Sequence, residues 1–396
     1  MLQGKTVVLG VTGGIAAYKA CEIVSRLRKL GANVHVILTK HAAHFVGPVT
    51  FQALSNNMVA TDMFESPITW DTEHISLAQK ADIFVVAPAT ANIIGKMASG
   101  IADDMLSTTI MATKAPILLA PAMNTGMYTN PVVQRNMEDL KGLGVHFVDP
   151  AAGRLACGDI GVGKLEAPEV IVDRIQDILL TTHELAGKKV VITGGPTVED
   201  IDPVRFLSNR SSGAMGLSIA KAARRMGAEV VLVSGPTTFD MPAGVECHQV
   251  RSAREMADAV AVHDDFDIFI ASAAVSDYRP AEASDKKIKK TDEDLVIRLE
   301  RNPDILKTIG NNKKAHQFVV GFAAETDHVL ENAKTKIQKK NLDMIVANDV
   351  TVEGAGFGCD TNIVQIIKRS GEITPLEKMS KDAVAMELLK SIANSL

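Results

Sequence analysis

Gly187-Lys-Lys-Val-Val-Ile-Thr-Gly-Gly-Pro-Thr197, with Asp202-Pro-Val-Arg205 and Asn209-Arg-Ser-Ser-Gly-Ala-Met-Gly216 after it, decides how the rest of the chain is read. The β-branched run Val190 to Thr193 breaks at Gly194-Gly195, and the small-residue turn Ser211 to Gly213 opens an alanine-rich helical pattern from Met215 to Met226. A parallel strand that delivers its C-terminal end to a helix N-terminus presents free backbone N–H groups there, and these favour an anion such as a phosphate. The start of the chain repeats the pattern. Gly4-Lys-Thr-Val-Val-Leu-Gly-Val-Thr-Gly-Gly14 is a lysine-flanked apolar strand ending in paired glycines, and Ile15 to Leu30 follows as an amphipathic helix. Two nucleotide-type α/β units in tandem are predicted, residues 1–186 and 187–396, with a short junction at Thr182 to Gly187.

The bulk numbers agree with that division. At 396 residues the chain exceeds one ordinary core and suits two domains of about 150 to 200 residues. Its hydrophobic fraction of 46% and charged fraction of 22% are those of a globular protein, and with 4% aromatic residues the core must be built from Ala, Val, Ile, Leu and Met. A net charge of -5 argues against a nucleic-acid surface, which needs clustered Lys and Arg. The four cysteines, Cys21, Cys157, Cys247 and Cys359, have no metal-ligand or redox-pair spacing, so a reducing compartment is expected. No charged leader precedes an apolar stretch and no apolar run approaches the roughly 20 residues of a membrane span. A cytoplasmic protein is the expectation.

In the first half, apolar runs at Thr6–Val11, Val34–Leu38, Ile83–Ala87, Ile117–Ala120 and Val145–Val148 alternate with helical patterns, the signature of a parallel sheet covered on both faces. Ligands of such sheets sit beyond the C-terminal strand ends. The residues there are Thr12-Gly13-Gly14, Thr39-Lys40, Pro88-Ala-Thr-Ala-Asn92 and Pro121-Ala-Met-Asn-Thr-Gly-Met-Tyr128. This small, hydroxyl- and amide-bearing lining can pack against a flat cofactor and hydrogen-bond its phosphate. A helical pattern over 168–185 closes the unit.

Three residues of this half carry candidate chemistry. His74, near a helix start, would be kept neutral and basic there, although a histidine so placed is by itself more often a surface residue. Asn124 reads equally as a helix cap. Cys157 lies in Gly153-Arg-Leu-Ala-Cys-Gly-Asp-Ile-Gly-Val-Gly163, a segment too rich in glycine to be regular structure, and a thiol on such a flap points to reactivity rather than packing.

The second half repeats the alternation with runs at Val190–Thr193, Val230–Val233, Ile268–Ala271, Phe318–Phe322, Met344–Ala347 and Ile363–Ile367. Its loops are more charged: Ala273-Ala274-Val275-Ser276-Asp277, the cluster Lys286 to Lys290, and Asn302-Pro303-Asp304-Ile305. Lys336 and Lys340 share a helical face. If that face meets the lysine-rich loop, several ammonium groups surround a volume suited to a triphosphate; taken alone, either run reads as a solvated surface. Neither run carries interleaved aromatics for stacking nucleic-acid bases. No Walker-type phosphate loop, no Gly-x-Gly-x-x-Gly after either first strand, and no zinc motif is present.

In order and spacing these stretches resemble, over nearly the whole chain, the bacterial bifunctional enzymes of coenzyme A synthesis in which phosphopantothenoylcysteine decarboxylase is fused to phosphopantothenate-cysteine ligase. The resemblance rests on Gly13-Gly-Ile-Ala-Ala-Tyr-Lys19, His74-Ile-Ser-Leu77, Pro88–Asn92, Pro121–Met127 and Ala156-Cys-Gly-Asp-Ile-Gly161 in the first half. In the second it rests on Thr193-Gly-Gly-Pro-Thr197, Asp202-Pro-Val-Arg205, Ser208-Asn-Arg-Ser-Ser-Gly213, Ala273–Asp277, Lys287-Ile-Lys-Lys290 and Gly321-Phe-Ala-Ala-Glu-Thr326. It departs at Tyr128, where the family often has tryptophan, and at Ala214, where a lysine is expected.

The resemblance implies a flavodoxin-like flavoprotein domain holding FMN at Gly13, Gly14, Thr39, Pro88, Thr90, Asn92 and Met123. His74 would assist oxidation of the substrate thiol, Asn124 would grip the substrate carboxylate, and Cys157 would donate the final proton. The oxidation supplies the electron sink that a cysteinyl carboxylate otherwise lacks. The second half would be a Rossmann-like ligase that uses CTP and Mg²⁺ to form an acyl-cytidylate, which the amino group of cysteine then displaces. By the same resemblance Ala273, Ala274, Asp277, Lys287, Asn302, Pro303, Asp304, Ile305, Phe322, Lys336 and Lys340 hold the nucleotide. Asn209 and Arg205 serve the acyl-cytidylate, Lys287 is also catalytic, and Asp277 is a possible metal ligand. Homo-oligomers are implied as well, trimers of the flavin half, with FMN at subunit contacts, and dimers of the ligase half combining into a dodecamer. The alternatives are a non-enzymatic flavin-fold regulator, which has no use for His74, Cys157 and a ligase half together, and a flavin prenyltransferase-like protein, which lacks the second domain.

Overall fold

The computed structural model describes residues 2–63, 72–155, 158–290, 294–325, 329–349, 359 and 361–396. The chain forms two compact units, Met1–Thr181 and Thr182–Leu396. The units divide at Thr182, the first residue of the junction read at Thr182 to Gly187. The reason is local: Thr182 and Leu185 donate their N–H groups to the carbonyls of Arg225 and Met226, and Leu185 is fully buried in the second core.

In the first unit, six strands form one parallel sheet: β1 (Thr6–Val11), β2 (Asn33–Leu38), β3 (Val59–Ala60), β4 (Ile83–Ala89), β5 (Ile117–Pro121) and β6 (His146–Phe147). The order is β3-β2-β1-β4-β5-β6, and without the two-residue β3 it is the flavodoxin order. The inner strands are buried on both faces, which is why their sequences are nearly unbroken apolar runs. Helices α1 (Ala17–Lys29), α2 (Pro48–Ser55), α3 (Glu73–Lys80), α4 (Ala91–Ala98), α5 (Met105–Ala112), α6 (Thr125–Tyr128), α7 (Pro131–Gly142) and α8 (Pro168–Leu180) complete the layers. On one face α1 and α8 bury Ile23, Leu27, Ile171 and Ile175. On the other, α4, α5 and α7 bury Ile94, Leu106, Met137 and Leu140.

The glycine-rich segment, expected to be irregular, is instead an antiparallel hairpin of β7 (Ala151–Arg154) and β8 (Ile160–Lys164). Its glycines are what permit the strands. Gly153 and Gly163 have φ of +145° and +138°, which only glycine adopts without strain.

The second unit holds β9 (Lys189–Gly194), the hairpin β10 (Val198–Asp200) and β11 (Phe206–Ser208), β12 (Glu229–Ser234), β13 (Glu246–Gln249), β14 (Ile268–Ala271), the hairpin β15 (Tyr278–Pro280) and β16 (Leu299–Arg301), β17 (Phe318–Glu325), β18 (Met344–Asp349), β19 (Thr361–Lys368) and β20 (Ile373–Ser380). Its main sheet runs β13-β12-β9-β14-β17-β18-β19-β20. The first six strands are parallel in the Rossmann order, and β19 and β20 add an antiparallel edge. Helices α9 (Ala214–Arg225) and α13 (Lys381–Ala393) cover one face; α10 (Ala253–Ala261), α11 (Ile305–Asn312) and α12 (Val329–Lys339) cover the other. A β-carbon on Gly216 would lie 2.8 Å from the Cα of Gly194, so this glycine pair lets α9 sit unusually close on β9.

One device recurs in both units. An aspartate immediately before an inner strand accepts a backbone N–H from the neighbouring strand and a lysine ammonium. Asp82, before β4, takes Thr6 N at 2.7 Å and Lys5 Nζ at 3.2 Å. Asp267, before β14, takes Lys189 N at 2.9 Å and Lys188 Nζ at 3.2 Å. Asp343, before β18, takes Val319 N at 2.8 Å and Lys313 Nζ at 2.5 Å. Each fixes strand register at the N-terminal end of its sheet, opposite the ligand-binding end.

Candidate functional site

In the first unit the strand order reverses between β1 and β4, and the crevice of a doubly wound sheet opens at that switch point. A cavity of about 940 Å³ lies there. That is near the top of the range of roughly 300–1,000 Å³ for small-molecule sites. Gly13, Gly14, Thr39, Pro88, Thr90, Asn92, Met123 and Asn124 all line it. Thr12 holds the floor: its buried hydroxyl donates to Pro88 O at 2.6 Å and accepts from Thr90 N at 3.2 Å. Neither α1 nor α4 has a side-chain N-cap, and both begin in residues that line the cavity. At α1 the N–H groups of Ala17 and Lys19 already bond the carbonyls of Gly14 and Ala16, so α1 offers an anion mainly its dipole, while α4 presents an uncapped first turn.

The β7–β8 hairpin forms another wall through Arg154, Leu155 and Gly163 to Leu165. It docks on the loop after β5 through glycine. Met123 N donates to Gly163 O at 2.9 Å, a β-carbon on Gly163 would lie 2.3 Å from Met123 O, and one on Gly161 would lie 2.4 Å from Thr125 Oγ1. Asn124 does two things: its Oδ1 caps α6 at Gly126 N at 2.8 Å, and its Nδ2 donates to Asp159 Oδ2 at 3.1 Å. Asn124 thus joins the hairpin to the cavity rim. Cys157, between β7 and β8 in sequence, lies outside the described residues.

His74 is the second residue of α3, half-buried, and does not line the cavity. Leu77 and Ala78 are the buried residues of α3, and Leu77 packs in the core that includes Leu106 of α5. Three cavity residues went unread in the sequence. Lys19, one turn into α1, donates to Leu165 O at 3.0 Å; burial and then the neighbouring Lys164 hold its pKa below the usual lysine value. Lys96 binds Asp103 and Asp104, the latter the capping-box residue of α5. Burial disfavours the charge on Lys96, but hydrogen bonds from Asp103 and Asp104 outweigh it and raise its pKa. Arg154 has no signal beyond its place among glycines.

The second unit has its own switch point, between β9 and β14. Ala274 N donates to Gly195 O at 2.9 Å, and Ser276 N donates to Thr197 Oγ1 at 2.9 Å, so the loops leaving the two strands are laced together. Asn209 Nδ2 donates to Ala274 O at 3.2 Å and Val275 O at 3.1 Å. Asn302 donates its N–H to Asp277 O and its Nδ2 to Ser276 O, both at 2.9 Å. Asp304 caps α11 at Lys307 N and receives Lys340 Nζ at 3.0 Å, while Ile305 is buried below it. Asn209 and Asn302 thus both bond the Ala274–Asp277 loop, and the separate Asp304–Lys340 pair follows Asn302 in the chain after Pro303. Phe322 lies at the same strand ends, on β17. Beside these loops α9 starts at Gly213, φ +83°, with no side-chain cap.

Arg205 has a structural assignment. Its Nε donates to Asp202 Oδ2 at 3.0 Å and its Nη2 to Ile288 O, so it fastens the lysine-rich loop. Burial alone would push the Asp202 carboxyl up, but the N–H groups of Val204, Ile288 and Arg205, with the Arg205 charge, hold it below the ordinary value. Lys287 is exposed on that clamped loop, and the carbonyl of Lys336, in the last turn of α12, accepts the N–H of Lys340 just beyond the helix end. Lys340 joins these loops through Asp304, and the loop that carries Lys287 is held in place by Asp202.

Two doubly wound units, each with an anion-ready crevice at its switch point, define a tandem two-site α/β protein. Residues 1–180 match the Flavoprotein family and residues 185–396 match the DNA/pantothenate metabolism flavoprotein C-terminal domain. The chain is 50% identical to the coenzyme A biosynthesis bifunctional protein CoaBC of Bacillus subtilis (strain 168), covering 99% of this chain and 98% of that one. It is 44% identical to the protein of the same name from Vibrio vulnificus (strain YJ016), again covering 99% and 98%. A solved C-terminal domain of a CoaBC protein is 45% identical, covers 54% of this chain and 98% of that chain, and superposes with a TM-score of 0.47. The chain belongs to the family of bifunctional coenzyme A biosynthesis proteins.

Proposed function

We propose that the second unit joins 4'-phosphopantothenate to cysteine through an acyl-cytidylate made from CTP with Mg²⁺, and that the first unit decarboxylates the product with FMN. The observation that carries the first half of this reading is the pair of uncapped helix starts, α1 and α4, on one cavity of about 940 Å³. Gly13, Gly14, Thr90 and Asn92 would hold the flavin phosphate, and Thr39, Pro88 and Met123 the ring system. When bound, FMN supplies the reversible two-electron oxidation that makes loss of carbon dioxide feasible. The protein's part is to orient and exclude: Asn124 grips the substrate carboxylate, the β7–β8 hairpin covers it, and Cys157 delivers a proton to carbon. His74, which is not among the residues lining the cavity of its own chain, would serve the flavin of a neighbouring copy, in keeping with trimers that hold FMN at subunit contacts.

In the second unit, α9 and the glycines before it receive a phosphate, Lys340 and the clamped lysine loop neutralise the triphosphate, and Asp277 is placed for ribose or metal. Asn209 positions the Ala274–Val275 turn against the acyl-cytidylate. Dimers of this unit, assembled with the trimers into a dodecamer, and a cytoplasmic location in keeping with four cysteines at no paired spacing complete the reading. Among the described residues no helix is long and apolar enough to cross a membrane.

The test is a coupled assay of the purified, yellow protein with 4'-phosphopantothenate, cysteine, Mg²⁺ and either CTP or ATP. Pyrophosphate and carbon dioxide should appear together with CTP. Cys157→Ser should abolish completed decarboxylation and spare pyrophosphate release. Asn209→Asp sets an oxygen against two carbonyls and should stop ligation while sparing decarboxylation of supplied phosphopantothenoylcysteine. If either change disables both reactions in folded protein, the division of labour is wrong.

A further inference from the structure

Glu246 and His248 stand two apart on the edge strand β13, so they share one face of the sheet, while Cys247 between them turns to the core on the other. Helix α10 packs on their face and ends just before His263, whose N–H closes the helix on Val260 O at 3.0 Å. The three side chains converge. His248 Nε2 lies 2.8 Å from Glu246 Oε1 and 3.2 Å from His263 Nε2, and one donor atom from each residue falls within 4.8 Å of the others. The rings of the two histidines sit 5.1 Å apart at 47°.

Hydrogen bonding alone does not satisfy this arrangement. His248 Nε2 carries at most one proton. If it donates to Glu246, His263 faces an N–H already engaged; if it accepts from His263, its lone pair faces a carboxylate oxygen. A cation meets all three lone pairs at once. Around a divalent metal with bonds of about 2.0–2.1 Å, tetrahedral donor atoms lie roughly 3.3 Å apart; the His248–His263 spacing of 3.2 Å matches this, and the 2.8 Å His248–Glu246 contact would open by about half an ångström through rotation of the exposed Glu246 side chain. Two imidazoles and a carboxylate are the donor set of a three-ligand zinc centre with one open position. Both His248 and Glu246 are partly exposed, which leaves a path for entry and room for a water ligand. Nearby, the Lys189 ammonium is engaged by Asp265 at 2.6 Å, so it is not an uncompensated positive charge beside the site.

We propose that Glu246, His248 and His263 bind a late first-row divalent cation, Zn²⁺ fitting best, which clips β13 to the turn after α10. The site lies beyond the two reaction crevices, and its role is to fasten an edge strand whose outer side has no partner in the sheet.

The test uses the full chain after chelator treatment, with Co²⁺ as the optical probe and Zn²⁺ as competitor. Expected are a saturable Co²⁺ ligand-field band in difference spectra at one equivalent, its displacement by Zn²⁺, and a higher thermal midpoint with Zn²⁺. His248→Gln and His263→Gln should each weaken binding by about tenfold or more. Both should also remove the thermal shift and leave ligation unchanged, which reports that they fold. Absence of a saturable band in the parent chain overturns the proposal. So does a band of parental strength in both variants, which would place the metal elsewhere.

Discussion

A methyl group at Gly163 would meet the Met123 carbonyl oxygen at 2.3 Å, and the residue's φ of +138° is one that side chains avoid. Gly163→Ala should therefore loosen the hairpin from the cavity wall at a cost of about 1–3 kcal/mol. The expected result is loss of flavin on gel filtration, read as the ratio of flavin to protein absorbance, with ligation intact. Retention of stoichiometric flavin would mean that the hairpin docks without this close approach. The sequence made the cavity residues visible because small and amide-bearing side chains cluster after apolar runs, at Gly13-Gly14 and Pro88–Asn92. It could not show why the glycines of 153–163 are needed. Two of them, Gly161 and Gly163, lie against Thr125 and Met123, residues far away in the chain, and so the segment read as loop. His74 was legible as a residue near a helix start, but its direction depends on which face of α3 packs against α5, and no spacing within His74–Leu77 reveals that.

At the scale of elements, the strand-start aspartates carry the clearest energetic consequence. Asp267 is mostly buried, and its carboxyl is held below the ordinary value because the Lys189 N–H and the Lys188 ammonium outweigh the effect of burial, which acts in the opposite direction. Asp267→Asn keeps one acceptor but turns an amide towards a cation. It should cost about 1–2 kcal/mol, a fall of roughly 3–6 °C in the Tm of the second unit by calorimetry. An unchanged Tm would show that register is fixed by packing alone. The apolar strands were easy to place because burial on both faces demands uninterrupted Val, Ile and Ala, and Thr6–Val11 and Ile268–Ala271 coincide with the observed elements. Short or polar elements were not. Strand β13, with Glu246, Cys247 and His248, has no apolar run, since an edge strand needs only one covered face. The antiparallel β19–β20 edge escaped because a run such as Ile363–Ile367 carries no mark of its direction.

Across the whole molecule the two units respond differently to acid. In the first, His35 and His146 have pKa values lowered by burial, and further by Lys80 and Arg174 respectively. A depressed histidine leaves the fold at full stability above its unfolded value of about 6.5 and removes stability as pH falls below it. In the second, the groups held low are carboxylates: Asp200 through Arg251, Asp265 through Lys189, and Asp202 and Asp267 through backbone N–H groups that outweigh burial. Their contribution is complete above about pH 3.9 and is lost only as pH falls through their lower folded values. Between pH 7.5 and 5.5 the calorimetric midpoint of the first unit should drop. The calorimetric transition of the second unit should hold its position until about pH 4. Parallel movement of both would refute the assignment. The tandem architecture was the most legible feature of all, because two lysine-flanked strands ending in paired glycines announce two starts; the units divide at Thr182, the first residue of the junction read at Thr182 to Gly187, because Thr182 and Leu185 find their partners about forty residues later, at the end of α9. The aspartate before β4 also serves as a datum. From Asp82 to Pro88 the chain climbs about 20 Å at roughly 3.3 Å per residue, so the length between them gauges how high Pro88 and Thr90 reach at the far rim. Inserting one residue there would lift that rim by a single step and turn each following side chain to the opposite layer, emptying the crevice without touching any group that lines it.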